Sequence, residues 1–242
     1  MGNNCVAFMF DEMRYQLNGV EIDRNRNVGI TSTIKNYISL TTEKSKMLKY
    51  ASWNPNEYPL INGNFNFCVL LNALFGFCKD YKRIVINARH ELVLIRSCND
   101  NNCLIGRAGT NPTIDLLKIQ WQMPHVSLSE VNKLSLLRTL ESGRYLSMCF
   151  RSWDLYEFPL LQNTTKHSWA VKTATQLEKP RYIIFALQTG RKNKAGPFVV
   201  IDCSRQNDSV KNATVDVRIE FDCKESIPAN TTAYCLIIQG VN

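Results

Sequence analysis

Apolar and polar residues alternate with a period of two over Met13, Tyr15 and Leu17, and again over Val20 and Ile22. That period puts each set on one face of a strand. Asn18-Gly19 stands between them, and both residue types tolerate the positive φ that a tight primed turn demands, so the spacing predicts a β-hairpin. Similar runs recur along the chain: Cys5 to Phe10, Met13 to Leu17, Val20 to Asp23, Phe65 to Leu71, Arg83 to Asn87, Glu91 to Arg96 and Ile114 to Met123. They continue with Tyr145 to Trp153, His167 to Thr173, Tyr182 to Thr189, Phe198 to Asp202, Thr214 to Phe221 and Ala233 to Ile238. About a dozen short strands punctuated by Gly, Pro, Asn and Asp predict an all-β sandwich or jelly-roll rather than alternating βαβ units.

Two helices interrupt the pattern. Ser127 and Glu130 have the spacing of a capping box, with Val126 and Val131 at the staple positions around it. Leu128, Val131, Leu134 and Leu137 then return at helical spacing and Gly143 supplies a stop, which predicts a helix from Leu128 to Ser142. A shorter helix is expected after Thr42, with Met47, Leu48 and Ala51 on one side and Lys44 and Lys46 facing water. The longer helix lies near the middle of the chain, so the joint between two halves is expected at about residues 124 to 143. The expected organisation is a first β-unit over 1–126, a connecting helix over 127–143 and a second β-unit over 144–242.

Size and composition narrow the class. The 242 residues, 45% of them apolar, suffice for one large all-β domain or two small ones. The formal charge of +8 and a pI of about 9.0 favour a polyanion such as nucleic acid, or simply a well-solvated basic surface. Nine dispersed cysteines without a CxxC pair read as reduced, small buried hydrophobes, not as a disulfide framework. No secretory leader follows Met1 and no apolar run approaches the roughly 20 residues needed to span a bilayer, so an intracellular, non-secreted protein is expected. The Asn-x-Ser/Thr triplets at Asn163, Asn207, Asn212 and Asn230 then read as loop residues. Val6 breaks the myristoylation pattern that Gly2 begins.

Candidate chemistry is sparse. Cys98 and Cys103 are the nearest approach to a metal-ligand pair, but no second pair with a histidine completes a tetrahedral set. His90, His125 and His167 are far apart in sequence, next to strand-like residues. No GxSxG elbow and no phosphate-cradling pattern around Gly106 and Gly109 is present, and Asp11-Glu12 has no evident acidic partner. The expectation is therefore no catalytic, cofactor-binding or metal-binding residue, and no enzyme. Arg24-Asn25-Arg26 and Arg191-Lys192-Asn193-Lys194 are the candidate contacts to a phosphate backbone, with solvated loop tips as the plainer reading. Trp53, Trp121, Trp153 and Trp169 are expected as core residues or intersubunit anchors.

Five segments in order carry a family resemblance: MRYQLNGVEIDRNRNVGITS (Met13 to Ser32), FGFCKDYKRIVINARHELVLIR (Phe75 to Arg96), IQWQMPHV (Ile119 to Val126), KPRYIIFALQTGRKN (Lys179 to Asn193) and TTAYCLIIQG (Thr231 to Gly240). The chain resembles the double jelly-roll major capsid proteins of polinton-type (Maverick) mobile elements and adintovirus-like DNA viruses. The resemblance implies two antiparallel sandwiches side by side with short connecting helices, and a structural role without catalysis. It also implies homotrimeric capsomers tiling an icosahedral shell around double-stranded DNA, with no cofactor, membrane or small-molecule substrate. Relative to that family the chain looks truncated, a genome-integrated copy with strands lacking before Met1, less chain after Gly240, and a stretch reduced to Lys194-Ala195-Gly196. A second roll shortened there is expected to expose a strand edge and to associate irregularly. The alternative is a repurposed, non-enzymatic jelly-roll binding module.

Overall fold

The computed structural model describes residues 1–53, 63–104, 113–143, 147–171, 180–190, 196–205 and 217–241. Among these residues nine strands lie in three sheets and every strand pair is antiparallel. The predicted hairpin is formed by β1 (Phe10–Leu17) and β2 (Val20–Arg26), with Leu17 opposite Val20. Asn18 and Gly19 take φ of 51° and 78°, the left-handed pair that this turn needs. β3 (His90–Arg96) joins the other side of β1, giving the order β2-β1-β3. Met13, Tyr15 and Leu17, alternate residues of β1, are buried against Phe75 and Phe77, and Phe8, Met9 and Val28 complete the same core.

The C-terminal part of the chain builds a second core. β4 (Phe150–Phe158), β6 (Pro180–Thr189), β7 (Phe198–Asp202) and β9 (Thr231–Val241) form a sheet in the order β4-β9-β6-β7. β5 (Lys166–Val171) and β8 (Val217–Asp222) form the facing pair. Trp169, Val171, Val217 and Ile219 from the pair meet Ile183, Phe185, Cys235 and Ile237 from the sheet. The other face of that sheet presents Trp153, Ile184 and Leu236, and Ile34 and Ile38 of a helix pack against them. With both faces covered, β9 reads as a continuous apolar run, Ala233 to Ile238, rather than an alternating one.

Six α-helices and one 3-10 turn are described, and they depart most from the sequence pattern. Cys5 to Phe10 is not a strand: α1 (Cys5–Phe8) is one helical turn that buries Cys5, Ala7 and Phe8, and β1 begins only at Phe10. A short apolar run fits a buried helical turn as well as a strand. α2 (Val28–Ser39) was not expected at all, because its Val, Ile and Thr residues favour strands. Tertiary burial overrides that preference, since Ile30, Ile34 and Ile38 fall at i, i+4 and i+8 and share the face packed on the molecule. The helix expected after Thr42 is α3 (Thr42–Met47), followed by a 3-10 turn over Leu48–Ala51 that seats Leu48 and Ala51 beside Trp53. Thr41 caps α3 by accepting from the Lys44 N–H at 3.4 Å, and Thr41→Ala is expected to cost about 1 kcal/mol in urea unfolding. α4 (Leu71–Leu74) and α5 (Gly76–Asp80) are the remaining short helices.

Three expected strands and one cap are corrected. Residues 65–71, 83–87 and 114–123 join no sheet among the described residues. In residues 64–70 exposure still alternates, turning Phe65, Phe67 and Val69 inward, so the period is that of an extended chain without a neighbouring ladder. The central helix is α6 (Glu130–Glu141), which starts two residues later than expected, with Ser129 at the cap position and no side-chain cap. The Ser127 box is not formed, because the extended backbone continues through Ser129. Ser127→Ala is accordingly expected to leave the unfolding free energy within about 0.5 kcal/mol of the wild type. α6 buries none of its residues, so it does not brace the two cores. Parts of the runs at 145–153, 167–173 and 214–221 lie outside the described residues.

A candidate assembly surface and the seam beneath it

The two cores meet along a seam built by α2, α4, α5, β2 and β4. Gly76, at the start of α5, lies so close to β4 that an added Cβ would stand 1.6 Å from the Arg151 carbonyl oxygen. Asp80, at the end of α5, accepts from Arg151 on β4 through the backbone N–H at 3.1 Å, Nε at 2.7 Å and Nη2 at 2.6 Å. The Arg151 guanidinium holds the Asp80 carboxyl below the usual carboxylate range. Asp23 on β2 accepts from the Phe77 N–H at 2.8 Å, and burial pushes its pKa up to about 6 against that bond. Asn25, two residues on along the same face, donates to the Leu74 carbonyl at 2.8 Å.

Lys35 is the most unusual group in the seam. It is only 6% exposed, and its ammonium donates to the Ala73 and Asn72 carbonyls at 2.8 and 3.3 Å, at the end of α4. Its Nζ sits 3.3 Å from the centre of the Trp153 ring. The helix end and the ring face favour the charged form. Burial works against it and lowers the pKa to about 6, with Lys79 and Arg151 adding to the fall and Asp23 and Asp80 opposing it. The arrangement holds two packed cores in one orientation through polar contacts. Nothing in the expected site inventory pointed to it, although Ile30, Ile34 and Ile38 at helical spacing bracket Lys35 and mark the helix that carries it.

Among the exposed apolar residues, three runs along the chain stand out. The extended residues 113–126 carry Leu117, Ile119 and Val126; α6 carries Val131 and Leu134; β7 carries Phe198, Val199, Val200 and Ile201. Between residues 63–70, 81–89 and 113–126 runs an open groove of about 2290 Å³, with Tyr15, Phe77, His90 and Trp121 on its wall. Contiguous exposed apolar residues of this kind are uncommon on monomeric proteins.

Trp53, Trp153 and Trp169 are buried, and Trp121 stands at the groove with its ring edge-on to Tyr15. His90 Nδ1 lies 2.5 Å from the Tyr15 hydroxyl, and His167 stacks on Phe221 and reaches the Thr164 carbonyl at 2.9 Å. Cys98 is exposed while Cys103 is fully buried. Among the described residues no three His, Cys, Asp or Glu converge. Arg24-Asn25-Arg26 is not a loop tip but part of β2, where Arg24 pairs with Glu21 at 3.5 Å and Arg26 with Glu12 at 3.4 Å. Arg191-Lys192-Asn193-Lys194, Gly106 and Gly109 lie outside the described residues. Among the described residues no helix is long and apolar enough to cross a membrane.

A search of curated proteins finds no match to the chain. The family model of the double jelly roll-like domain matches it in two segments, residues 1–196 and 193–241, that meet at 193–196. This agrees with the antiparallel sheets and the two β-cores, and the chain belongs to the double jelly roll-like domain family.

Proposed function

We propose that the protein is a capsid-type structural subunit that works by associating with its own copies and catalyses no reaction. The observation that carries this reading is the family match across nearly the whole chain. Exposed apolar strips at residues 113–126, α6 and β7 supply the anchoring surface that assembly needs. In this reading residues 1–126 and 144–242 are the two rolls, joined through 127–143. Copies form trimeric capsomers of an icosahedral shell around double-stranded DNA, in the manner of the polinton and adintovirus capsid proteins that the sequence resembles. Carboxylates already partner Arg24 and Arg26, so phosphate contacts fall to the Arg191 to Lys194 stretch.

The junction between Asn193 and Pro197 marks a shortened, genome-integrated copy in this proposal. The family model's division into two segments at 193–196 supports that reading. Restoring a family-length insert between Asn193 and Pro197 is expected to yield uniform trimers in size-exclusion chromatography with light scattering. A restored chain that remains a monomer would overturn the capsid reading. The aromatic groove favours the second reading, a non-enzymatic binding module, which a monomer with one saturable ligand would support.

A further inference from the structure

The groove between residues 63–70, 81–89 and 113–126 combines free positive charge with uncovered aromatic surface. At about 2290 Å³ it exceeds the roughly 300–1,000 Å³ that holds a small molecule, so its size suits a chain. Its charge is one-sided. Among the described residues Lys82, Arg83, Arg89 and Lys118 line it against the carboxylate of Asp115 alone. Arg89 pairs with Glu91 at 2.7 Å, whereas Lys82, Arg83 and Lys118 are exposed and pair with no carboxylate among the described residues. On β2, by contrast, Glu21 and Glu12 already match Arg24 and Arg26. Two rings stand beside the free cations. Trp121 meets Tyr15 at 78° with ring centroids 6.2 Å apart; such a contact covers one face at most, and Trp121 is 36% exposed. Tyr81, half-buried, is stacked on Phe77 through one face, 5.1 Å between centroids. Four exposed carboxamides, Asn64, Asn66, Gln120 and Gln122, also line the groove and can donate and accept at once.

We propose that this groove binds a single strand of nucleic acid, with phosphates on Lys82, Arg83 and Lys118 and a base stacked on Trp121. Surfaces of this kind use cations to follow the backbone and aromatic faces to take the bases, whatever their sequence. Each ring has its cation close by in the chain, in Tyr81-Lys82-Arg83 and in Lys118-Ile119-Gln120-Trp121. The carboxamides suit base edges, which present donors and acceptors side by side. A duplex offers the same phosphates but keeps its bases stacked on one another, so it leaves the Trp121 face unused. An acidic peptide matches the cations and leaves that face unused as well. The proposal stands on the groove and not on the capsid reading, whose test is the trimer of the restored chain. It gives the binding-module reading a ligand class.

The test is a titration of the full 242-residue chain with a labelled oligothymidylate of about 12 nucleotides, within the ~4–16 that such sites cover. Anisotropy of the label reads affinity. Trp53, Trp153 and Trp169 are buried, so saturable quenching of tryptophan emission reports Trp121. Three phosphate contacts predict that affinity falls about 20-fold between 50 and 200 mM salt. Lys118→Gln removes one contact and should reduce that fall to about 7-fold. Trp121→Ala should weaken binding about tenfold and leave the salt dependence unchanged, and Trp121→Phe should recover most of the loss. A duplex of the same length and polyglutamate should each bind about tenfold more weakly than the single strand or worse. Urea midpoints matching the wild type establish that the variants fold, and Lys118→Gln, which alters only an exposed side chain, reads out even if Trp121→Ala does not. Absence of saturable binding, equal affinity for the duplex or for polyglutamate, undiminished binding in Trp121→Ala, or an unchanged salt dependence in Lys118→Gln would each overturn the proposal.

Discussion

Gly76→Ala is expected to destabilise the protein by about 3 kcal/mol, the upper end for overpacking a close contact. The obstacle is backbone: the new Cβ would meet the Arg151 carbonyl oxygen at 1.6 Å and its carbon at 2.8 Å, and neither can swing away as a side chain could. α5 must therefore move off β4. That movement strains the three bonds from Arg151 to Asp80 and the bond from the Phe77 N–H to Asp23. Gly240→Ala is the matched control, because nothing lies within 4 Å of its added Cβ, and it should change stability by less than about 0.5 kcal/mol. Urea unfolding of both variants decides the matter. Equal midpoints would show that the two cores do not depend on the approach of α5 to β4.

Raising the pH from about 6.5 to 8.5 should stabilise the protein by about 1.4 kcal/mol per unit, through Lys35. The sign follows from its lowered folded pKa of about 6 against an ordinary 10.5. Between those values the unfolded chain takes up a proton that the folded chain does not. The resulting stability is complete above the unfolded value and is lost as pH falls towards 6. The neighbouring acids act below this window, and Lys79, also lowered by burial, acts in the same direction as Lys35. Asp23, raised from 3.8 to about 6, acts below the window, and Asp80, held low by Arg151, acts lower still. The buried thiols of Cys78, Cys103 and Cys235, raised from 9.0, lose their contribution only at higher pH. Lys35→Met should flatten the profile across the window. Urea melts at pH 6.5, 7.5 and 8.5 measure it, and a wild-type profile already flat there would mean that Lys35 stays charged beside Trp153.

The C-terminal β-unit was largely legible because its strands obey local rules. β7 over Phe198 to Asp202 matches the expected run, and β5, β6 and β9 differ from theirs mainly at the ends. The Asn18-Gly19 turn encodes its own geometry in two residues. The N-terminal unit was less legible. β-branched residues disguised α2, whose helical form is decided by what Ile34 and Ile38 touch on the distant sheet. The Ser127 box looked complete in sequence, yet an extended backbone through Ser129 leaves it unused. The seam was invisible for a related reason. Asp23, Lys35, Asp80 and Arg151 come from four separate elements, and no spacing in the chain announces their meeting. Candidate surfaces were legible only as apolar residues, since exposure depends on which faces the fold leaves uncovered.

Electron cryo-microscopy of the chain with the family-length insert restored between Asn193 and Pro197 would show whether this is an assembling double jelly-roll subunit. Threefold particles with a pseudo-hexagonal outline are expected, each subunit contributing two β-sandwiches side by side. Monomeric particles, or particles without threefold symmetry at concentrations where the chain is folded, would contradict it.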